Sequence, residues 1–88
     1  MPIRWSERFH REWKKLPPEI KTKTGRILLL LDSNREHPSL RLKKLQRLTG
    51  FWELRVDKEW RILLTIEGDI FVIAGIGKHD LLDSFNKN

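Results

Sequence analysis

The 88-residue chain predicts an α+β fold, a single domain over residues 1–88 with a helical hairpin packed on one face of a small antiparallel sheet. Three observations carry that prediction. Apolar residues recur at helical spacing through the first third of the chain, and Pro17-Pro18 divides them into two segments. From Phe51 onward the apolar period shortens to two. A short apolar stretch, Pro2 to Trp5, precedes the first helical pattern. The resulting order is strand, helix, helix, then three strands (β-α-α-β-β-β).

Each element has a local cause. Ser6 suits an N-cap and Glu7 the first turn of a helix, where its charge meets the positive end of the helix dipole. Phe9, Trp13 and Leu16 follow on one face. Proline is tolerated in a first turn and not inside a helix, so Pro17-Pro18 ends this helix and opens the next. The second helix places Ile20, Thr24, Ile27, Leu28 and Leu31 on one face, with Lys21, Lys23 and Arg26 off it, and closes near Asp32-Ser33-Asn34. Phe51 to Val56, Arg61 to Ile66 and Ile70 to Ile76 then read as an antiparallel meander joined by short polar turns. Gly75 and Gly77 mark a bulge or bend late in the last strand. Trp5, Trp13 and Trp52 are expected in the core, and residues 86–88 are expected to fray.

Charge is distributed unevenly. Residues 1–50 hold 13 Lys/Arg against 5 Asp/Glu, whereas residues 51–88 hold 5 against 7. The whole excess of the +6 chain therefore lies in its first half, which points to a partner bearing phosphates or carboxylates. There is no cysteine, and His10, His37 and His79 share no ligand spacing, so no metal or other cofactor is expected. The N-terminus lacks the apolar core of a secretory signal. The longest apolar run, Ile27 to Leu31, is far short of a membrane span, so a cytoplasmic protein with no membrane partner is expected.

Trp52, Leu54 and Val56 must face the helices, which leaves Glu53 and Arg55 on the other, open side of the sheet. A three-residue connection, Lys58 to Trp60, pairs Asp57 with Arg61 and puts Arg61 on the same side as Arg55. The alternative register would bury a lone guanidinium under the helices. Beside this face runs Ser39 to Leu48, where leucines alternate with Arg41, Lys43, Lys44 and Arg47. That segment reads either as a phosphate track or as the solvated side of a short strand or turn.

The segments Lys44-Leu45, Thr49 to Val56, Glu59 to Leu64 and Ile76-Gly77-Lys78-His79-Asp80, in this order behind a helical hairpin, resemble the RelE/ParE superfamily of type II toxins. The resemblance spans nearly the whole chain. It implies a toxin held inactive by a cognate antitoxin protein. Many members cut mRNA in the ribosomal A site, against rRNA, and so block translation, while ParE-like members inhibit DNA gyrase without nuclease chemistry. For RNA cleavage by 2′-hydroxyl attack, the resemblance implies His79 as general acid and Arg61 as phosphate clamp, with Arg55 and Lys78 adding charge. Glu59 matches an acidic residue of some members and is the first candidate base, with Glu53 behind it. Each has a plainer reading as a structural carboxylate. Phe85 is placed to stack on a base or, equally, to anchor the C-terminus in the core. A non-toxic RNA-binding module is the remaining reading of the charge.

Overall fold

Two prolines set the helical half of the computed structural model, which describes residues 2–85. Helix α1 (Glu7–Lys14) is capped by Ser6, whose hydroxyl accepts from the Phe9 amide at 3.0 Å. Pro17 and Pro18 then turn the chain into α2 (Pro18–Ser33), with Pro18 in its first turn. Strand β1 (Ile3–Trp5) precedes them, and β2 (Leu42–Lys44), β3 (Phe51–Arg55), β4 (Arg61–Glu67), β5 (Ile70–Gly77) and the short helix α3 (Leu81–Phe85) follow.

The five strands form one sheet in the order β1-β5-β4-β3-β2. The expected meander is present as β3-β4-β5, with Gly68 at φ +63° opening the two-residue β4–β5 turn, as a type II′ hairpin asks of its first central residue. Three expectations need correction. The sheet is mixed, because β1 lies parallel to β5. The basic segment supplies an additional edge strand, β2, antiparallel to β3. A third helix, α3, lies beyond His79, where no helix was expected. The predicted fraying of residues 86–88 lies outside the described residues.

The helices cover the expected face. Leu54, Ile62, Leu64, Phe71, Ile73 and Ile76 of the sheet pack with Phe9, Leu16, Ile20, Leu28 and Leu31, while Trp13 and Trp52 are half-buried against this core. Trp5 departs from its expected place: it is 52% exposed at the β1 edge, where its ring stacks on Phe9. A three-residue edge strand has no outer neighbour to enclose it. An apolar hollow of about 220 Å³ lies beside it, between Trp5, Phe9, His10, Trp13 and Leu28.

The strand β1 stops at Trp5, but β5 continues, and α1 takes over beside it. The bulge between Leu63 and Leu64 leaves Ala74 of β5 without a cross-strand partner. The Ala74 carbonyl accepts from Ser6 Oγ at 2.8 Å, and the Ile76 amide donates to Glu12 Oε1 at 2.9 Å. Side chains of a helix thus satisfy backbone groups that a longer β1 would have paired.

Candidate functional site

The site is built on the sheet face away from the core. Arg55 of β3 lies directly opposite Arg61 of β4, and Arg61 opposite Gly77 of β5. The Arg55 amide also donates to the Arg41 carbonyl at 3.1 Å, which extends the β2–β3 ladder and brings Arg41 alongside Arg55. Arg41, Arg55 and Arg61 therefore form a row across three neighbouring strands. The expected pairing of Asp57 with Arg61 is off by two residues, since five residues rather than three connect β3 to β4. A shift of two preserves the face, so Arg55 and Arg61 share one side, and like charges in direct opposition cost stability.

Arg61 is held rigidly. One of its terminal nitrogens lies 3.3 Å from Glu53 Oε2, with the two side chains only 20% and 8% exposed. Its Nε is buried and has no hydrogen-bond partner among the described residues. An unsatisfied buried donor costs about 1–3 kcal/mol. The face is less open than the sequence suggests, because Glu53 and Leu63 are buried. Helix α3 covers this middle part, with Phe85 and Glu12 both within 3.0 Å of where a Cβ on Gly75 would stand. A Cβ there would press on both side chains, and one of them would have to give by a few tenths of an ångström.

The connection between β3 and β4 is shaped by Asp57. Its Oδ1 accepts from the Glu59 and Trp60 amides at 2.9 and 2.8 Å, and its Oδ2 lies 3.8 Å from Lys23 of α2. The Trp60 amide holds the Asp57 carboxyl below its ordinary value of 3.8 against the opposing effect of burial, with the Glu59 amide and Lys23 adding to the shift. Glu59 is exposed in this turn. The ammonium of Lys78 lies 5.4 Å from the centre of the Trp60 ring, joining the turn to the end of β5. His79 follows, exposed, two residues beyond the Gly77 that pairs with Arg61.

One end of the sheet thus gathers Arg41, Arg55, Arg61, Glu59, Lys78 and His79. The other predicted residues are distributed differently. Lys43 lies opposite Glu53 on the site face, whereas the strand alternation of β2 sends Lys44 to the helix side, opposite Trp52. Arg47 sits beyond β2 at the far end and reaches Asp83 of α3 at 3.4 Å in an exposed pair. Phe85 packs edge-on to Phe51 with ring centres 5.6 Å apart, and the Arg8 guanidinium lies 4.0 Å over its ring. In this arrangement its ring serves as an anchor for α3. Arg8 and Glu12 were not among the expected site residues. Their i,i+4 spacing is visible in the sequence, but nothing local shows that the pair reaches β5 and α3. Among the described residues, no three His, Asp or Glu side chains cluster as a metal site. No described helix is long and apolar enough to cross a membrane.

This architecture is the RelE-like α+β fold. Over 96% of its length the chain superposes on 99% of a chain of the RelB–RelE antitoxin–toxin complex from Methanococcus jannaschii, with a TM-score of 0.77 at 16% identity. It is also similar to the DinJ–YafQ toxin–antitoxin complex of E. coli (TM-score 0.74, 20% identity, 91% of this chain and 93% of that one). The YoeB dimer of Staphylococcus aureus gives a TM-score of 0.71 at 23% identity, over 90% and 97% of the two chains. No family model matches the sequence, and no curated protein does.

Proposed function

We propose that this chain is the toxin of a toxin–antitoxin pair, and that it acts in the cytoplasm as an endoribonuclease on mRNA in the ribosomal A site. The observation that carries the reading is the row Arg41, Arg55, Arg61 ending beside Lys78 and His79. Three guanidiniums in adjacent strands repel one another unless an anion lies over them, and phosphate oxygens suit their planar donors. Structural likeness to RelE, YafQ and YoeB chains supports the toxin assignment. The partners in the RelB–RelE and DinJ–YafQ complexes support a cognate antitoxin.

In this mechanism a base removes the proton of a ribose 2′-hydroxyl, whose oxygen attacks the adjacent phosphorus. The bond from phosphorus to the 5′-oxygen breaks, and an acid protonates that oxygen. The products are a cyclic phosphate and a free 5′-hydroxyl. Arg61 and Arg55 stabilise the charge that builds on the phosphoryl oxygens, with Arg41 and Lys78 neutralising the flanking backbone. His79 is assigned as the acid. Exposed Glu59 is assigned as the base in preference to Glu53, whose carboxylate is committed to Arg61. Lys43 and Lys44 are assigned to the RNA or rRNA backbone on either side of β2, and Arg47 to a more distant phosphate once released from Asp83.

Induced expression with primer-extension mapping of a reporter mRNA tests this reading. Wild type is expected to give cuts within translated codons, and Arg61→Ala with His79→Ala to give none. Retained cutting by the double variant would overturn the site. Growth arrest with DNA damage and intact mRNA would instead support an inhibitor of gyrase.

A further inference from the structure

The segment that carries His79 starts from Gly77, which pairs with Arg61, and the Lys78 ammonium lies 5.4 Å from the centre of the Trp60 ring. Beyond Gly77, the backbone from Lys78 to Asp80 makes no hydrogen bond to the Arg61 end of the sheet among the described residues. Two further contacts flank it. On one flank the Ile76 amide donates to Glu12 Oε1 at 2.9 Å. On the other, α3 is tied down by Arg8, which donates to Ser84 Oγ at 2.6 Å and lies over the Phe85 ring. Arg8 Nε in turn donates to Glu12 Oε2 at 3.0 Å. One carboxylate therefore uses one oxygen for the strand before His79 and the other for the side chain that holds the helix after it. Gly75 keeps the gap between them narrow enough to close, with Glu12 and Phe85 both 3.0 Å from its missing Cβ.

We infer that Glu12, acting with Arg8, is a positioning residue that clamps residues 78–80 from both ends and so orients the turn that carries His79 at the Arg61 end of the sheet. The inference rests on the reading of His79 as the acid only for its effect on the reaction. The clamp itself is a statement about geometry. A surface Arg–Glu pair at i,i+4 is worth a few tenths of a kcal/mol and would not merit a role. This pair differs because each member also holds a group from a distant element: a strand amide in one case, a helix hydroxyl and ring in the other. Misplacing a proton donor by about 1 Å costs on the order of 100-fold in rate, so a clamp of this kind acts on turnover rather than on RNA affinity.

The test uses the full chain and compares wild type, Glu12→Ala, Glu12→Gln and the core control Leu16→Ala. Cleavage of mRNA on programmed ribosomes is measured below the melting temperature of every variant. Glu12→Ala is expected to lower the saturating rate about 10- to 100-fold while leaving the half-saturating concentration within about 2-fold. Glu12→Gln keeps an oxygen for the Ile76 amide and is expected to recover much of the rate. Leu16→Ala, at least as destabilised, is expected to keep the wild-type rate. An undiminished rate in Glu12→Ala, or an equal loss in Leu16→Ala, would overturn the clamp.

A second readout does not need activity. Amide exchange at Ile76 and at Lys78 to Asp80, with the His79 ring resonances, is followed by NMR. In Glu12→Ala, exchange is expected to quicken roughly 10-fold or more at these amides and the ring resonances to shift toward those of a free histidine. Unchanged exchange and resonances would overturn the clamp whether or not the protein cuts RNA. The expected NMR changes in Glu12→Ala, together with a wild type that cuts no mRNA, would leave the clamp standing and remove His79 as the acid.

Discussion

The two faces of the sheet bury side chains by different means. Under α1 and α2, Leu54, Ile62, Leu64 and Ile73 lie in a core that is apolar apart from Thr24, whose buried hydroxyl has no partner among the described residues. On the other face Leu63 is just as buried, yet beside it lie an ion pair, a buried guanidinium nitrogen without a partner and a helix of five residues. The first face is made for stability. The second gives up stability where Arg55 opposes Arg61 and where a carboxylate is buried to meet a guanidinium, and on the proposed reading an anion over the arginines repays that loss.

The largest effect expected from breaking that division is on the helix side. Leu64→Ala should lower unfolding free energy by about 2–5 kcal/mol in denaturant titrations. The cutting rate per folded molecule should not change. If it fell in proportion, the two faces would not be separable. Next comes the ion pair. Arg61→Met alone leaves the Glu53 carboxylate buried without its cation and should cost roughly 3 kcal/mol, the lower end for a broken buried pair because Arg61 is partly exposed. Adding Glu53→Leu should restore most of that stability while RNA cleavage stays absent, which thermal melts and primer extension would read separately. Recovery of cleavage in the double variant would mean that Arg61 serves only to satisfy Glu53.

The smallest effect belongs to Asp57, where the turn between the arginines meets Lys23 of α2. Its folded carboxyl lies below the ordinary 3.8, so the stability it contributes is fully present above that value and is lost as pH falls through the folded one. Asp57→Asn keeps an oxygen for the Glu59 and Trp60 amides but loses the charge facing Lys23. Its melting temperature should lie slightly below wild type at pH 7, fall less steeply below pH 4 (the window set by that lowered carboxyl) and converge with wild type there. An identical acid limb in the two proteins would assign the acid sensitivity elsewhere.

Much of the helix side was legible because its causes are local. Ser6, the proline pair and the stripe from Phe9 to Leu16 specify α1 and the turn into α2, and alternation from Phe51 specifies β3. The face shared by Arg55 and Arg61 was legible for the same reason, since parity survives a register error of two. The parallel pairing of β1 with β5 was not, because contact across 68 residues leaves no period in either segment. Nor was β2: three residues, two of them lysine, carry too little pattern to separate a strand from a basic loop. The second face was misread as open because α3 is short and its anchors, Arg8 on Phe85 and Phe51 against Phe85, join residues far apart in sequence. Trp5 shows the converse: a large apolar side chain indicates burial only when an element lies outside it.

The pairing of Ile3–Trp5 with Phe71–Ile73 also has a consequence for the order of events during synthesis. Strand β1 must wait for β5, and so must the Ser6 and Glu12 contacts that finish the edge of β5. Helices α1 and α2 can form early, but their apolar faces have no complete sheet to cover until β5 has been made. A pairing between such distant segments closes late and leaves the core surface of the helices exposed meanwhile. The nascent chain therefore presents its basic, helix-rich half well before the Arg61–His79 end is made.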